Sequence, residues 1–116
     1  MRNVEPVLRS PGLLRRHYAP KAKLLMLSWQ DETDLRRQIA GSKFRTSNCH
    51  VISHTRIPAA KGFGCVSVIP RDPTAFARVI YAELHRCDEA AAALIVVEAL
   101  PQTDEWEAII DRLRRA

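Results

Sequence analysis

The fold is decided by a stretch near the carboxyl terminus, Ala93-Leu94-Ile95-Val96-Val97-Glu98-Ala99, which is almost entirely aliphatic. Continuous apolar runs of this length are typical of strands that are buried on both faces of a sheet. Both faces of a sheet are buried only when further layers cover them, and crossover helices supply those layers in parallel sheets. The stretch therefore predicts a central strand of an α/β domain.

Three upstream runs have the same character: Leu24-Leu25-Met26-Leu27, Cys49–Ser53 and Cys65–Ile69. Helical patterns follow two of these strands. Asp31 is a candidate N-cap of a helix that Gly41 ends, and Asp72 precedes Pro73 at the start of a helix that extends to about Arg86. Strands that alternate with helices indicate crossover units and a small, mostly parallel sheet covered on both faces.

A last helix is predicted near Asp104, which forms with Glu107 an aspartate version of a capping box. Its apolar positions follow the spacing of one helical face: Trp106, Ile109, Ile110 and Leu113. The whole pattern predicts a three-layer α/β domain over residues 24–116. Residues 1–23 are predicted to form an irregular arm, because three prolines and a glycine interrupt any regular element there.

Composition limits the class of protein. The chain has 116 residues, 47% of them apolar and 27% charged, which suits one globular domain and is too short for a two-domain enzyme. It has no apolar run of about eighteen residues and no apolar leader, so we expect neither a membrane span nor a secretory signal. Its three cysteines are irregularly spaced, which argues against a disulfide framework and favours the cytoplasm.

Positive charge is concentrated in the first half of the chain. The net charge is +5; residues 1–63 hold twelve lysines and arginines against four acidic residues, and residues 64–116 hold six against nine. A candidate basic patch lies in the arm: Arg15, Arg16, Lys21 and Lys23. Such asymmetry suits an anionic partner, such as a nucleotide, RNA or an acidic protein face, although a solvated surface explains it equally well. Because His17 and Tyr18 lie beside the patch in sequence, an RNA-contacting tail is an alternative function of the arm.

Signatures of phosphate or metal binding are weak. Gly62-Phe63-Gly64 leads into a strand rather than a helix, which favours a loop over a dinucleotide site. His50 and His54 lie close in sequence to two cysteines, but on one extended strand they are about 13 Å apart, so both could bind one zinc ion only if the strand ends before His54. We therefore predict buried cysteines and histidines here, and no metal site. Cys87 precedes two acidic residues that raise a thiol pKa, so it is predicted to be structural.

The most specific motif lies in the arm. Ser10-Pro11-Gly12-Leu13-Leu14-Arg15-Arg16-His17-Tyr18-Ala19-Pro20 resembles the linker motif of threonylcarbamoyl-AMP synthases, approximately S-P-G-M-x-x-x-H-Y-[AS]-P. Tyr81–Asp88 is similar to the family segment L-Y-x-x-L-R-x-L-D. Ile95–Ala99, with the helix after it, is similar to the family's closing strand and helix. Three positions depart from the pattern: Leu13, His85 and Cys87 stand where the family has Met, Arg and Leu.

This resemblance implies a Rossmann-like accessory domain. Full-length members of the family join such a domain, through the linker, to a catalytic domain that binds ATP, threonine and bicarbonate. They make threonylcarbamoyl-AMP, the activated intermediate of tRNA N6-threonylcarbamoyladenosine. The linker folds over the catalytic pocket, and the matching residues are the candidate gate: Ser10, Pro11, Gly12, His17, Tyr18 and Pro20.

The resemblance therefore implies a non-catalytic gating domain of a synthase, acting in cis or in trans, with no catalytic residues of its own. ATP and threonylcarbamoyl-AMP are implied only through the catalytic partner. An independent nucleotide or small-ligand binding domain and an RNA-contacting accessory protein remain alternatives, and His17 and Tyr18 also suit simple packing of the arm onto its own domain. The chain is a natural stand-alone protein, half of a split enzyme or a fragment.

Overall fold

The computed structural model describes residues 20–115. The strands are β1 (Lys23–Leu27), β2 (Cys49–Ser53), β3 (Cys65–Val68) and β4 (Leu94–Glu98). The helices are α1 (Glu32–Gly41), α2 (Pro73–Glu89) and α3 (Asp104–Arg114), with a 3₁₀ turn at Thr46–Asn48 before β2. Each strand and helix that the sequence predicts is present, with ends displaced by a few residues. None of the described helices combines the length and apolarity needed to cross a membrane.

The four strands form one parallel sheet in the order β1-β4-β2-β3. β4 lies in the centre, where Val96 pairs with Leu25 on one side and with Val51 on the other. All five residues of β4 are buried, as are all five of β2. The α/β class, the parallel sheet and the central position of the 93–99 stretch are confirmed.

Separate apolar cores cover the two faces of the sheet. On one face, α2 and α3 pack through Phe76, Leu84 and Trp106 against Ile95 and other sheet residues. The rings of Phe76 and Trp106 meet edge to face, with centroids 5.3 Å apart. On the other face, α1 packs against the sheet, with its buried side chains among Trp29, Cys49 and Val96. The three-layer, Rossmann-like arrangement is thereby confirmed.

Two of the helices begin at the predicted caps. The Asp31 carboxylate accepts the N–H of Asp34 at 2.8 Å at the start of α1. The Asp72 carboxylate accepts the N–H of Ala75 at 3.0 Å, and Pro73 occupies the first turn of α2. Both caps satisfy backbone donors that have no partner within the helix.

Other helix ends differ from the prediction. Thr103 is the N-cap of α3, with no side-chain capping bond, so the predicted capping box of Asp104 and Glu107 is wrong. Because the Thr103 carbonyl already accepts the N–H of Trp106 at 3.0 Å, Asp104 lies inside the first turn, where its charge suits the helix dipole. Gly41 is the last residue of α1, and the left-handed conformation after this helix falls on Lys43, at φ 72°.

The 54–64 segment joins β2 to β3 as a loop, as predicted, and is tied to α1. The Glu32 carboxylate accepts the N–H of Ala59 at 2.9 Å, and the Arg36 guanidinium donates to the Lys61 carbonyl at 2.6 Å while stacking 4.5 Å from the ring centre of buried Phe63. Gly62 has φ +87°, and a Cβ there would lie 3.0 Å from the Arg36 guanidinium. These contacts hold the 54–64 segment against α1.

Candidate functional site

The candidate site is an open cleft of about 440 Å³ at the carboxyl edge of the sheet. β1 and β4 are neighbours, yet the helix after β1 packs on one face and the helix after β4 on the other. Ligands of open α/β sheets bind at the point where the connections from two neighbouring strands leave to opposite faces of the sheet. The cleft lies there. It is lined by the last residue of β4, by residues that follow β1, β2 and β4, and by Arg71 before α2: Ser28, His54, Thr55, Arg56, Arg71, Glu98, Ala99, Leu100 and Pro101.

The Glu98 carboxylate accepts most of the hydrogen bonds at this edge of the sheet that involve a side chain lining the cleft. It is only 6% exposed and accepts the consecutive backbone N–H groups of His54 and Thr55, each at 2.9 Å, and of Arg56 at 3.2 and 3.3 Å. The Thr55 hydroxyl donates to it as well. Successive backbone N–H groups of this kind form a concavity for anions. Here the protein's own carboxylate fills that concavity.

Burial and hydrogen bonding act in opposite directions on Glu98. Burial raises the pKa of its carboxyl, and the donors from His54, Thr55 and Arg56 lower it; the net result is a pKa below the ordinary value. Glu98 is therefore held as a carboxylate and is poorly suited to donate a proton. The role of this carboxylate is structural: its hydrogen bonds hold the loop after β2 to the end of β4. We call the Glu98 carboxylate with its donors from His54, Thr55 and Arg56 the Glu98 clasp.

His54 packs beside this clasp. Its Nε2 lies 3.3 Å from the carbonyl oxygen of Glu98 and 3.1 Å from that of Ala99, and because carbonyls only accept, Nε2 carries the proton. Its Nδ1 is buried, lies 3.9 Å from the Glu98 carboxylate and has no hydrogen-bond partner in the part of the chain that the structure describes. The ring edge meets Phe76, with centroids 6.5 Å apart. The imidazole thus ties the loop after β2 to the end of β4.

The helix N-termini near the cleft carry negative charge. α1 begins with Glu32 and Asp34 after the Asp31 cap, α2 begins after Asp72, and the first turn of α3 has three acidic side chains. Phosphate sites of α/β folds use exposed N–H groups at such termini. Since carboxylates already lie there, no described helix start offers an anion site. The exposed cations at the cleft are Arg56, whose guanidinium donates to the Gln30 carbonyl at 3.1 Å, and Arg71.

The structure describes three of the predicted site residues, and these three lie away from the cleft. Five of the six gate residues, Ser10, Pro11, Gly12, His17 and Tyr18, fall outside the described residues, as do Arg15 and Arg16 of the basic patch. Pro20 is half-buried just before β1, and Lys21 and Lys23 are exposed where β1 begins. These three residues are therefore at the amino edge of the sheet, and the cleft is at the opposite edge.

The residues weighed as metal ligands are not brought together. Cys49 packs in the α1 core, His54 lies at the carboxyl edge, and His50 pairs with Cys65 across β2 and β3. Among residues 20–115 no group of three or more such side chains suits a metal ion. Burial lowers the pKa of His50, and nearby Arg86 lowers it further. The Arg86 guanidinium also donates to Ser67 at 2.6 Å and to Glu83 at 2.7 Å.

Two of the cysteines are held as thiols by their surroundings. Burial raises the pKa of Cys49 to about 12, with Cys87 as a further cause. Burial also raises the pKa of Cys87 to about 11, followed by the charge of Glu83. The predicted direction for Cys87 is correct, but its main cause is burial rather than the acidic residues that follow it.

We expect Cys65 to be the first thiol alkylated in the native protein. The thiolate is the reactive form, Cys65 is half-buried, and Cys49 and Cys87 are buried thiols. Iodoacetamide labelling at about pH 8, followed by peptide mass spectrometry, measures the three rates. Labelling in urea, where all three are exposed, is the control. Native labelling of Cys49 as fast as Cys65 would contradict the described core.

Glu98 and His54 were not predicted as a pair. The available signal was a charged residue at the end of the most apolar run in the chain, since a buried acid at a strand end needs nearby donors. Its donors come from residues 42 to 44 positions away, which no local pattern identifies.

Comparison with known proteins identifies a family. A family model described as threonylcarbamoyl-AMP synthase, C-terminal domain, matches residues 2–116. No curated protein and no solved structure matches the chain. The family match takes up practically the whole chain, so no catalytic domain is present in these 116 residues.

Proposed function

We propose that this chain, which belongs to the family of threonylcarbamoyl-AMP synthase C-terminal domains, acts as a non-catalytic accessory domain that gates a separate catalytic domain through its arm. The family points to threonylcarbamoyl-AMP synthesis and so to a catalytic domain as partner. The reaction it assists is the first step of tRNA N6-threonylcarbamoyladenosine formation. ATP and threonylcarbamoyl-AMP then lie in the partner's pocket.

The observation that carries this proposal is the occupied clasp at the carboxyl edge. In a nucleotide-binding α/β domain, backbone N–H groups at this edge receive phosphate. Here three successive N–H groups are taken by Glu98, which would repel an incoming anion. Acidic residues occupy the helix starts as well. These features favour a supporting domain over one that binds the nucleotide itself.

The gate is assigned to the motif of the arm. Pro11 and Gly12 favour a turn in which backbone approaches a ligand closely, and His17 and Tyr18 bring flat polar rings to it. Pro20 stiffens the last step before the domain. A lid of this composition excludes water from a mixed anhydride that hydrolysis would otherwise destroy. We place the boundary between arm and domain just before β1, which begins at Lys23.

The competing functions predict different ligands. An independent nucleotide-binding domain is stabilised by ATP or AMP alone, and an RNA-contacting protein by tRNA, with an affinity that falls steeply with salt. Arg56 and Arg71 at the cleft are the observation in favour of an anionic small ligand. The exposed basic residues where β1 begins, Lys21 and Lys23, are the observation in favour of RNA.

Thermal unfolding with each candidate separates the three functions. We expect a catalytic domain of this family to raise the midpoint of unfolding of this chain, because a partner that binds only the folded state stabilises it by mass action. ATP, AMP and tRNA at the same molar excess are expected to leave the midpoint unchanged. An unrelated protein of equal size is the control. Stabilisation by ATP or AMP alone would transfer the proposal to the independent ligand-binding function, and stabilisation by tRNA alone to the RNA-contacting one.

A further inference from the structure

The chain enters β1 through an unusual contact with the end of α2. The backbone N–H of Lys21 donates to both carboxylate oxygens of Asp88, at 3.1 and 3.0 Å, and the N–H of Ala22 donates to one of them at 3.3 Å. The two partners are 66 and 67 positions apart in the sequence. One carboxylate thus holds two consecutive backbone donors just before the strand begins.

Asp88 lies where a carboxylate is unfavourable for the helix. It belongs to the last turn of α2, which ends at Glu89. The carboxyl end of a helix is the negative end of its dipole, so an acidic side chain there destabilises the helix unless other donors compensate. The N–H groups of Lys21 and Ala22 are such donors. The position of this carboxylate is explained by the chain that it holds rather than by α2.

Neighbouring contacts also hold the chain where it enters β1. The N–H of Lys23 donates to the Ala93 carbonyl at 3.1 Å, and Ala22 is 8% exposed in the core beneath α2 and α3. Pro20, the residue before the contact, has a backbone torsion restricted by its ring. Three successive residues are therefore tied, by Asp88 and by Ala93 just before β4, directly after the arm motif ends.

We propose that Asp88 is the positioning residue that sets the direction in which the arm leaves the domain. It acts through the backbone of Lys21 and Ala22, and so determines where the gate motif ending at Pro20 can reach on a catalytic partner. This exit lies at the amino edge of the sheet, away from the Glu98 clasp. The gating part of the inference rests on the proposed function, whereas the anchoring part does not.

Amide exchange of the chain alone tests the anchor. In Asp88→Ala we expect the Lys21 and Ala22 amides to exchange about tenfold faster or more, because hydrogen bonds to a charged acceptor are lost. Asp88→Asn keeps one acceptor oxygen, so its exchange rates at these amides are expected to lie between those of the native chain and those of Asp88→Ala. Glu89→Ala, which removes the exposed adjacent carboxylate, is the matched control. Unchanged exchange in β4 shows that each variant is folded. If Asp88→Ala exchanges no faster at these amides than Glu89→Ala, the anchor is refuted.

The catalytic rate in a mixture tests the positioning. At saturating chain, Asp88→Ala is expected to lose much of the effect that the native chain has on the partner's rate, with Asp88→Asn restoring part of it. Partial rescue by an acceptor of the same shape separates positioning from general loss of structure. A native chain without effect on the partner would refute the proposed function, while the exchange result would still decide the anchor. Full effect from Asp88→Ala would refute the positioning role.

Discussion

Replacing Glu98 by alanine is expected to lower the free energy of unfolding by about 3 kcal/mol, because a charged acceptor of several hydrogen bonds is removed. The backbone N–H groups of His54, Thr55 and Arg56 all lose their partner, and the loop after β2 loses its tie to β4. Urea unfolding followed by tryptophan fluorescence measures this change. Trp29 is a suitable reporter, since its indole N–H donates to the Arg56 carbonyl at 3.2 Å.

The matched control is Glu89→Ala, which removes an exposed acid and is expected to change stability by less than about 0.5 kcal/mol. A similar loss of unfolding free energy in Glu98→Ala and Glu89→Ala would contradict the stabilising role of the Glu98 clasp. Acid titration gives a second readout. Because the pKa of Glu98 is lowered on folding, the stabilisation from its charge is complete above the unfolded value of about 4.3 and is lost as pH falls through the folded pKa. The stability difference between native protein and Glu98→Gln should therefore narrow below about pH 4.

Replacing Tyr18 by alanine is expected to abolish the effect of this chain on a catalytic partner without changing the stability of the domain. Tyr18 lies in the arm motif, outside the described residues, and this variant removes the flat polar side chain that the proposed gate uses. The pyrophosphate release rate of the mixture should return to that of the catalytic domain alone. Unfolding by urea should keep the native midpoint.

Two companion variants sharpen this result. Tyr18→Phe keeps the ring and removes the hydroxyl, so it separates stacking from hydrogen bonding. Val4→Ala lies in the same arm before the motif and is expected to behave as the native chain. A Tyr18→Ala chain that alters the partner's rate as strongly as the native one would show that the motif is not the gate.

The strands and layers of this protein follow from local sequence. Runs such as Leu94–Glu98 are too apolar to be exposed on either face, and the caps Asp31 and Asp72 act within four residues of themselves. The capping box at Asp104 failed because the N-cap lies one residue earlier, at Thr103, where the carbonyl rather than the hydroxyl makes the first bond. Local patterns set the type of an element more securely than its first residue.

The site was harder to predict because its contacts are distant in the sequence. Glu98 meets its donors 42 to 44 positions away, and Asp88 meets Lys21 across 67. In the sequence, Asp88 was recognised only as the last residue of a segment similar to the family's, and nothing near it in the sequence explained why an acidic residue lies there. Of the predicted basic patch, Lys21 and Lys23 lie at the edge opposite the cleft, and Arg15 and Arg16 lie outside the described residues.

The most direct test of this account is threonine- and bicarbonate-dependent pyrophosphate release from ATP, measured for this chain alone and for its mixture with a separate catalytic domain of the family. We predict no turnover by the chain alone and a changed rate in the mixture relative to the catalytic domain by itself. Turnover by the chain alone would contradict the claim that it is a non-catalytic accessory domain. An unchanged rate in the mixture would contradict the claim that it gates a partner.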